Sequence, residues 1–541
     1  MAHSTPFDYI IVGGGTAGCV LANRLSADPA IRVALIEAGP PDRSAKIRIP
    51  AAVAAAIADP AFGWGYHSTS QAHLNGRRIP IPRGRVLGGC SSINGMAYFR
   101  GHPLDFDDWA ASGAVGWSYQ DVLPHFLRSE NNEAWPASRF HGRGGEMNVI
   151  DIPQPNALIH RFLDAAVSLG FKQCLDFNGE DPEGFGPRQA TIRNGQRESG
   201  VTAFLRPALT RPNLTVFTDT LVRRIRIEAR RARGVTIERA GVVQNLEAQA
   251  EVILSGGAYG SPQLLLLSGV GPADDLRALG IEVVHVLPGV GMGLHDHPAT
   301  AIQMRTTNAD SYGLSWKTFP RGFWNVLEYA FARRGPLASN VFEATGFVRS
   351  RPGLDRPDLQ IVFMPAHRNA NGFAIPIGHG YGIVVIAVQP KSRGRVTLAS
   401  ADPRVAPNID PNFLANPLDT QTLLEGARLA RRILAAPAFR SLRSVELSPG
   451  PTVRDDATWV EYIRNSVVTV HHPCSTCRMG ADDLAVVDPQ LRVRGLTGLR
   501  VVDASVFPQV VGGNSNAAVV MVAERASDLI LSARAASTQA A

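Results

Sequence analysis

The chain has 541 residues, 45% hydrophobic and 19% charged, with a formal net charge of +7. This is a globular composition on a chain long enough for two or more units with large cores, and it excludes a disordered or collagen-like polymer. The five cysteines, Cys19, Cys90, Cys174, Cys474 and Cys477, are odd in number and widely spaced, unlike a secreted disulfide scaffold. No apolar stretch reaches the about 18 residues of a spanning helix, and Phe7 to Val12 is too short for a signal sequence. The expectation is a cytoplasmic protein whose membrane contact is at most peripheral, on the inner membrane. The lysines are Lys46, Lys172, Lys317 and Lys391, so nearly all the basic residues are arginine.

The organising stretch is Phe7 to Gly39. Tyr9-Ile10-Ile11-Val12 reads as a buried parallel strand. Gly13, Gly15 and Gly18 follow in G-x-G-x-x-G spacing, then a helical segment, a second apolar run Val33 to Ile36, and Glu37 nineteen residues past Gly18. Gly13 permits the tight turn, Gly15 lets the backbone approach a pyrophosphate, and Gly18 lets helix and strand pack closely. The helix N-terminus offers unpaired N–H groups to phosphate, and Glu37 stands where a carboxylate accepts from ribose hydroxyls. The segment is read as a dinucleotide site, with NAD and FAD both open at this point.

A second glycine-rich stretch, Arg83 to Met96, places Ser91, Ser92 and Asn94 beside two glycine pairs and reads as a second phosphate or ring cradle. Trp109, Trp117, Tyr119 and Phe126 are expected to fill a core, and Asn156 to Leu169 has helical spacing. The basic run Arg223 to Arg233 interleaves with Val222, Ile225 and Ile227, as in a strand with a solvated face that leads to a turn near Gly234. It lacks the aromatic interleaving of a nucleic-acid surface, so no nucleic-acid partner is expected. Glu251 to Ala258 is another strand entering a glycine turn, with Ser261 as N-cap and Pro262 at the first helical position. From Thr300 to about Leu398 alternating strands replace βαβ units and predict an antiparallel sheet. Helices are predicted over Thr420 to Ala435, Asp455 to Asn465 and Ala517 to about Arg534, with a frayed tail after Ala535.

The densest reactive cluster is Val470 to Gly480. His471, His472, Cys474 and Cys477 total four potential metal ligands, but adjacent histidines in an extended segment point apart, so no metal is expected. A redox C-x-x-C pair fits the Pro473 context poorly. A histidine acting as general base suits proton abstraction from an alcohol, and a core histidine is the plain alternative for one of the two.

These residues together resemble the glucose–methanol–choline (GMC) oxidoreductases, and most their choline-dehydrogenase-like bacterial branch. The likeness is carried by VGGGTAG and IEAG, PRGRVLGGCSSINGMAYFRG from Pro82, GAYGSPQLLLLSGVGP from Gly257, and PGVGMGLHDHP from Pro288. It continues in PKSRGRVTL from Pro390, HPCSTCRMG from His472, VDPQLRVRGLTGLRVVDASVFP from Val487 and VGGNSNAAVVMVAE from Val511.

The resemblance implies an α/β protein, α+β overall. A Rossmann-like FAD-binding domain would be assembled from residues 1–155, 201–299 and 466–541. A substrate-binding domain with an antiparallel sheet and flanking helices would come from 300–465, with an insertion at 156–200. It implies that His472 takes the hydroxyl proton with Asn516 as its partner, at the N-terminus of a helix whose dipole favours an anionic reduced flavin. The FAD contacts it implies are Gly13, Gly15, Thr16, Ala17, Gly18, Glu37, Ala38, Arg85, Leu87, Gly89, Ser91, Asn94, Gly95, Met96, Ala97, Val222, Asp503, Ala504 and Asn514. His471 and Glu343 are expected in the substrate pocket. Ile93 occupies the position where some members carry a flavin-linking histidine, so FAD is expected to be non-covalent. The implied activity is oxidation of a primary alcohol, aliphatic, benzylic or choline-like, to the aldehyde, with electrons passing to a quinone-like acceptor. An oxidase using O₂ is the nearest alternative, and an FAD-holding lyase or photoenzyme a further one.

Overall fold

The computed structural model describes residues 6–366 and 377–539. Phe7–Val12 and Val33–Ile36 are apolar and almost wholly buried, and they pair in parallel with Ile10 opposite Ala34. They sit in a seven-stranded sheet ordered Leu214–Phe217, Val33–Ile36, Phe7–Val12, Val242–Leu254, Arg231–Arg239 and Thr220–Glu228. The thirteen-residue strand Val242–Leu254 serves two partners. Its first half pairs antiparallel with Arg231–Arg239, and its end pairs in parallel with Phe7–Val12 and Leu499–Val501. The helices Thr16–Leu25 and Asn516–Gln539 share this sheet's core through Val20, Leu21, Ala518 and Met521. Gly18 allows the close contact: a Cβ there would lie 2.0 Å from the Gly13 carbonyl oxygen.

The second sheet is antiparallel: Val445–Ser448, Pro298–Thr306, His379–Ala387, Leu359–Met364, Ala344–Val348 and Gly184–Pro187, with Val468–Thr469 beside Pro298–Thr306. Leu359, Ile361 and Phe363 face the helix Pro417–Leu434 in one core. The opposite face carries Val362, Ile386 and Phe347 and meets Ala97 and Phe99 of the first unit. Trp109, Trp117 and Phe126 are fully buried in the first core, where they were expected.

Several local expectations need correction. The basic run turns at Ala229 and Arg230, both at positive φ, and not at Gly234. Gly234 lies inside the second strand at φ +153°, where a Cβ would be 2.0 Å from the Leu246 carbonyl oxygen. The helix placed at Ser261 begins at the glycine turn, as Gly257–Leu267, so Pro262 lies in its interior. Pro262 has no N–H for the carbonyl of Ala258, and Thr476 Oγ1 donates to that oxygen instead, at 2.6 Å. The C-terminal helix starts at Asn516 and runs to Gln539 without fraying at Ala535, Arg534 being tied to Asp8 at 3.0 Å. Residues 540–541, and 367–376 of the substrate segment, lie outside the described residues.

Candidate active site

A cavity of about 330 Å³ is lined by Gly13, Gly15, Thr16, Glu37 and Ala38 of the opening glycine loop and second strand, and by Asn94, Met96, Ala97, Val470, His471, His472, Asn514 and Asn516. Gly13 turns at φ +107°, and a Cβ there would be 2.4 Å from the Ser255 carbonyl oxygen. Glu37 accepts from the Gly14 and Gly39 amides at 2.9 and 2.8 Å. Burial pushes its carboxyl up to about 7 against those bonds and the nearby Arg85 charge.

Within this lining His472 is 8% exposed. Its Nδ1 lies 3.0 Å from His297 Nδ1 and its Nε2 3.0 Å from Asn514 Nδ2, with the two imidazoles crossed at 84°. An amide N–H aimed at Nε2 makes that nitrogen an acceptor. The proton of His472 then sits on Nδ1 and is donated to His297. Burial holds His472 well below the ordinary imidazole range, and the adjoining His297 and His471 rings and the Arg83 and Arg188 charges act in the same direction. The His472 imidazole is neutral, with Nε2 beside Asn514 at the cavity. Asp296 fixes the segment: its carboxylate accepts from the backbone amides of His297 and His472 and from Thr469 Oγ1. His471 adopts φ +71°, which turns the adjacent histidines apart, and its carbonyl takes Arg83 Nη2 at 2.7 Å. Burial, then the Arg83 charge, lowers His471 to about 3.

A GMC oxidoreductase family model matches residues 7–299, and its C-terminal counterpart matches 390–523. The chain is 42% identical to an alcohol dehydrogenase [acceptor] of Pseudomonas putida, over 97% of this chain and 96% of that one. It is 43% identical to an oxygen-dependent choline dehydrogenase of Vibrio vulnificus, over 97% and 94%. The chain belongs to the GMC oxidoreductases. Among solved structures it resembles pyridoxine 4-oxidase from Mesorbium loti, with TM-score 0.87 and 31% identity over 96% of this chain and 98% of that one. It also resembles formate oxidase, with TM-score 0.89 and 28% identity over 97% and 99%.

As a GMC oxidoreductase it is an FAD enzyme acting on CH–OH donors, and the cavity fits that cofactor. Gly89, at φ +52°, faces Gly15 so closely that a Cβ would lie 2.9 Å from the Gly15 Cα, so the two glycine loops meet where the backbone has to approach a bound group. Of the residues the resemblance assigns to FAD, Gly95, Val222, Asp503, Ala504 and Ala17 also line the cavity.

Four expected contacts do not line it. Gly18 packs on Gly13. Leu87 backs Gly14 from outside. Arg85 lies over the Trp64 ring at 5.6 Å. Ser91 Oγ is consumed by the Gly88 carbonyl and the Gly200 amide. Ser92 likewise bonds the Leu87 carbonyl, so these serines brace the loop and offer no donor to the cavity.

His472 has Asn514 as its hydrogen-bonding neighbour, while Asn516 lines the same cavity and accepts from Thr16 Oγ1 at 2.9 Å. Glu343 is outside the cavity wall, its carboxylate held by Tyr312, Ser339 and the Asn156 amide. Cys474 and Cys477 are separate buried thiols; burial pushes Cys474 up to about 12 and Cys477 upward too, which leaves both inert. Sequence reasoning assigned no role to Asp296 or His297. The only signal was a carboxylate flanked by two histidines in GLHDHP, far from His472 in the chain.

Proposed function

We propose that this GMC oxidoreductase oxidises a primary alcohol to the aldehyde, with His472 Nε2 taking the hydroxyl proton. The observation that carries it is the contact geometry: His472 Nδ1 lies 3.0 Å from His297 Nδ1, and Nε2 faces Asn514 at the cavity, so in this reading the His472 proton sits on Nδ1 and Nε2 is the acceptor. Asn514 marks where the hydroxyl is received, and an incoming alcohol replaces its N–H at Nε2. When bound, FAD supplies a two-electron acceptor for the carbon-bound hydrogen. Gly13, Gly15, Thr16, Glu37 and Gly89 would hold it, with its ring end toward His472 and Asn516 at a helix N-terminus. Ile93 offers no nucleophile, which supports non-covalent FAD. In this reading residues 1–155, 201–299 and 466–541 form the FAD unit and 300–465 the substrate unit. Anaerobic mixing of the yellow holoenzyme with aliphatic and benzylic alcohols tests the reading: bleaching supports it, and no bleaching by any of them overturns it.

The acceptor is read as quinone-like; one relative is named for an unspecified acceptor and the other for oxygen. The helix Phe319–Ala332 supports a peripheral membrane contact. Trp316, Phe319, Phe323, Trp324, Val326 and Phe331 are exposed, and Lys317, Arg321, Arg333 and Arg334 surround them, as suits an anionic lipid surface. No helix among the described residues is long and apolar enough to cross a membrane. Co-sedimentation with vesicles containing phosphatidylglycerol, lost in Trp324→Glu, tests this contact; sedimentation equal to that with neutral vesicles overturns it. Fast recolouring of the bleached enzyme in air would favour the oxidase alternative, which the pyridoxine and formate oxidase structures keep in view.

A further inference from the structure

Arg188 is 4% exposed, and its guanidinium has neither an ion pair nor a hydrogen-bond acceptor among the described residues. It rests on two aromatic faces, 5.6 Å from the Phe99 centroid and 5.7 Å from that of Phe342. Three other buried arginines have acceptors among the described residues. Arg100 bonds Glu130 at 2.6 Å, Arg500 bonds both oxygens of Glu251, and Arg197 bonds the carbonyls of Ile47 and Asn94. A guanidinium stays protonated even when burial pulls its proton affinity down, so an unmatched one is a costly group to keep. Glu343, which touches Arg188 through the backbone, does not neutralise it. The Glu343 backbone carbonyl takes the Arg188 amide, while its carboxylate is spent on Tyr312, Ser339 and Asn156.

A second orphan lies on the same side. Gln360 is 1% exposed, and neither its Oε1 nor its Nε2 has a partner among the described residues. It pairs directly with Phe347 and Ile386 in the second sheet and therefore shares their face. Phe347, Ile386, Phe99 and Ala97 form one apolar cluster, on which Phe342 and Val470 pack. Ala97 and Val470 are also walls of the cavity beside His472.

We propose that Arg188 is the anion-recognition residue of the alcohol site, with Gln360 as a second donor, so that preferred substrates are primary alcohols bearing a carboxylate remote from the hydroxyl. A guanidinium fork matches a carboxylate in two parallel bonds, and the aromatic walls exclude the water that would weaken them. The same unmatched cation disfavours a quaternary ammonium alcohol. The inference rests on the alcohol-oxidation reading.

The test compares ω-hydroxyhexanoate, its methyl ester and choline on the wild-type holoenzyme. The acid should exceed the ester about tenfold or more in kcat/KM, with choline lowest. Calorimetric titration of the holoenzyme with hexanoate, which carries no hydroxyl, reads binding alone. Arg188→Met should weaken its Kd about 10- to 100-fold, with partial recovery in Arg188→Lys and a smaller loss in Gln360→Leu. Turnover of the ester or choline above the acid, or an unchanged hexanoate Kd in Arg188→Met, overturns the inference while alcohol oxidation stands. Failure of all three alcohols to bleach the flavin overturns alcohol oxidation itself, and the substrate class with it.

Discussion

The bond between His297 and His472 gives the sharpest handle on the mechanism. His297 is fully buried, and in the proposed mechanism its Nδ1, 3.0 Å from His472 Nδ1, is the acceptor that keeps the His472 proton there. Truncation to His297→Ala leaves a buried N–H without an acceptor, a cost of about 1–3 kcal/mol borne by the productive tautomer. The other tautomer, with its proton on Nε2, then competes and cannot accept from the alcohol. The expected loss in kcat/KM is therefore about 5- to 150-fold, below the roughly 10²- to 10⁴-fold expected on removing the base in His472→Ala. His297→Gln returns a carbonyl acceptor and should recover part of the loss. The assay is steady-state oxidation with an artificial acceptor, normalised to bound FAD, across both single variants and the double variant. If His297 acts only through His472, its truncation in the His472→Ala background should change the rate less than about threefold. A full, additive loss in the double variant, or a His297→Ala enzyme within twofold of wild type, refutes the positioning role.

The remaining expectations concern the same cavity and the stability of the chain. Asn514→Ala should lower kcat/KM about 5- to 15-fold at full FAD occupancy, since the amide that the alcohol displaces from Nε2 is left as a hydrogen-bond donor beside the alcohol oxygen; a larger loss in Asn516→Ala at equal occupancy would favour the pairing of His472 with Asn516. Gly89→Ala should purify with little flavin, because its Cβ intrudes to 2.9 Å from the Gly15 Cα; a fully yellow variant counts against the loop-to-loop approach. Acid precipitation of the holoenzyme should leave all flavin absorbance in the supernatant, and flavin retained on the polypeptide would refute a non-covalent site. His141 supplies a pH test. Burial opposes its charge, but Asp176 at 2.8 Å and Glu130 raise it to about 9. A raised imidazole contributes stability that is complete below about pH 6.5 and lost as pH climbs through about 9, worth about 3 kcal/mol. Thermal unfolding of the wild type should fall over that window and that of His141→Phe should not; equal slopes would refute the assignment.

The sequence by itself brought out the dinucleotide-binding loop and the proposed base. Gly13, Gly15, Gly18 and Glu37 act through backbone conformation and short-range spacing, and His472 through the chemistry of its own ring, so each is legible in a contiguous motif. Tertiary structure decided what those groups touch. His297 lies 175 residues from His472 and meets it only because both flank Asp296, whose carboxylate takes the two backbone amides. The choice between Asn514 and Asn516 depends on where the last helix begins: starting at Asn516 directs that side chain to Thr16 and leaves Asn514 in the preceding turn for His472. Glu343 reads as a pocket acid in sequence, yet three donors from separate segments hold it away from the cavity. Pro262 sits inside a helix because Thr476, from the motif that carries the base, satisfies the Ala258 carbonyl that the proline cannot. Motifs fix which chemistry is available, since that is a property of residues close in the chain. Which polar atoms find partners is settled only when distant segments are packed and every buried donor and acceptor competes for the same few neighbours.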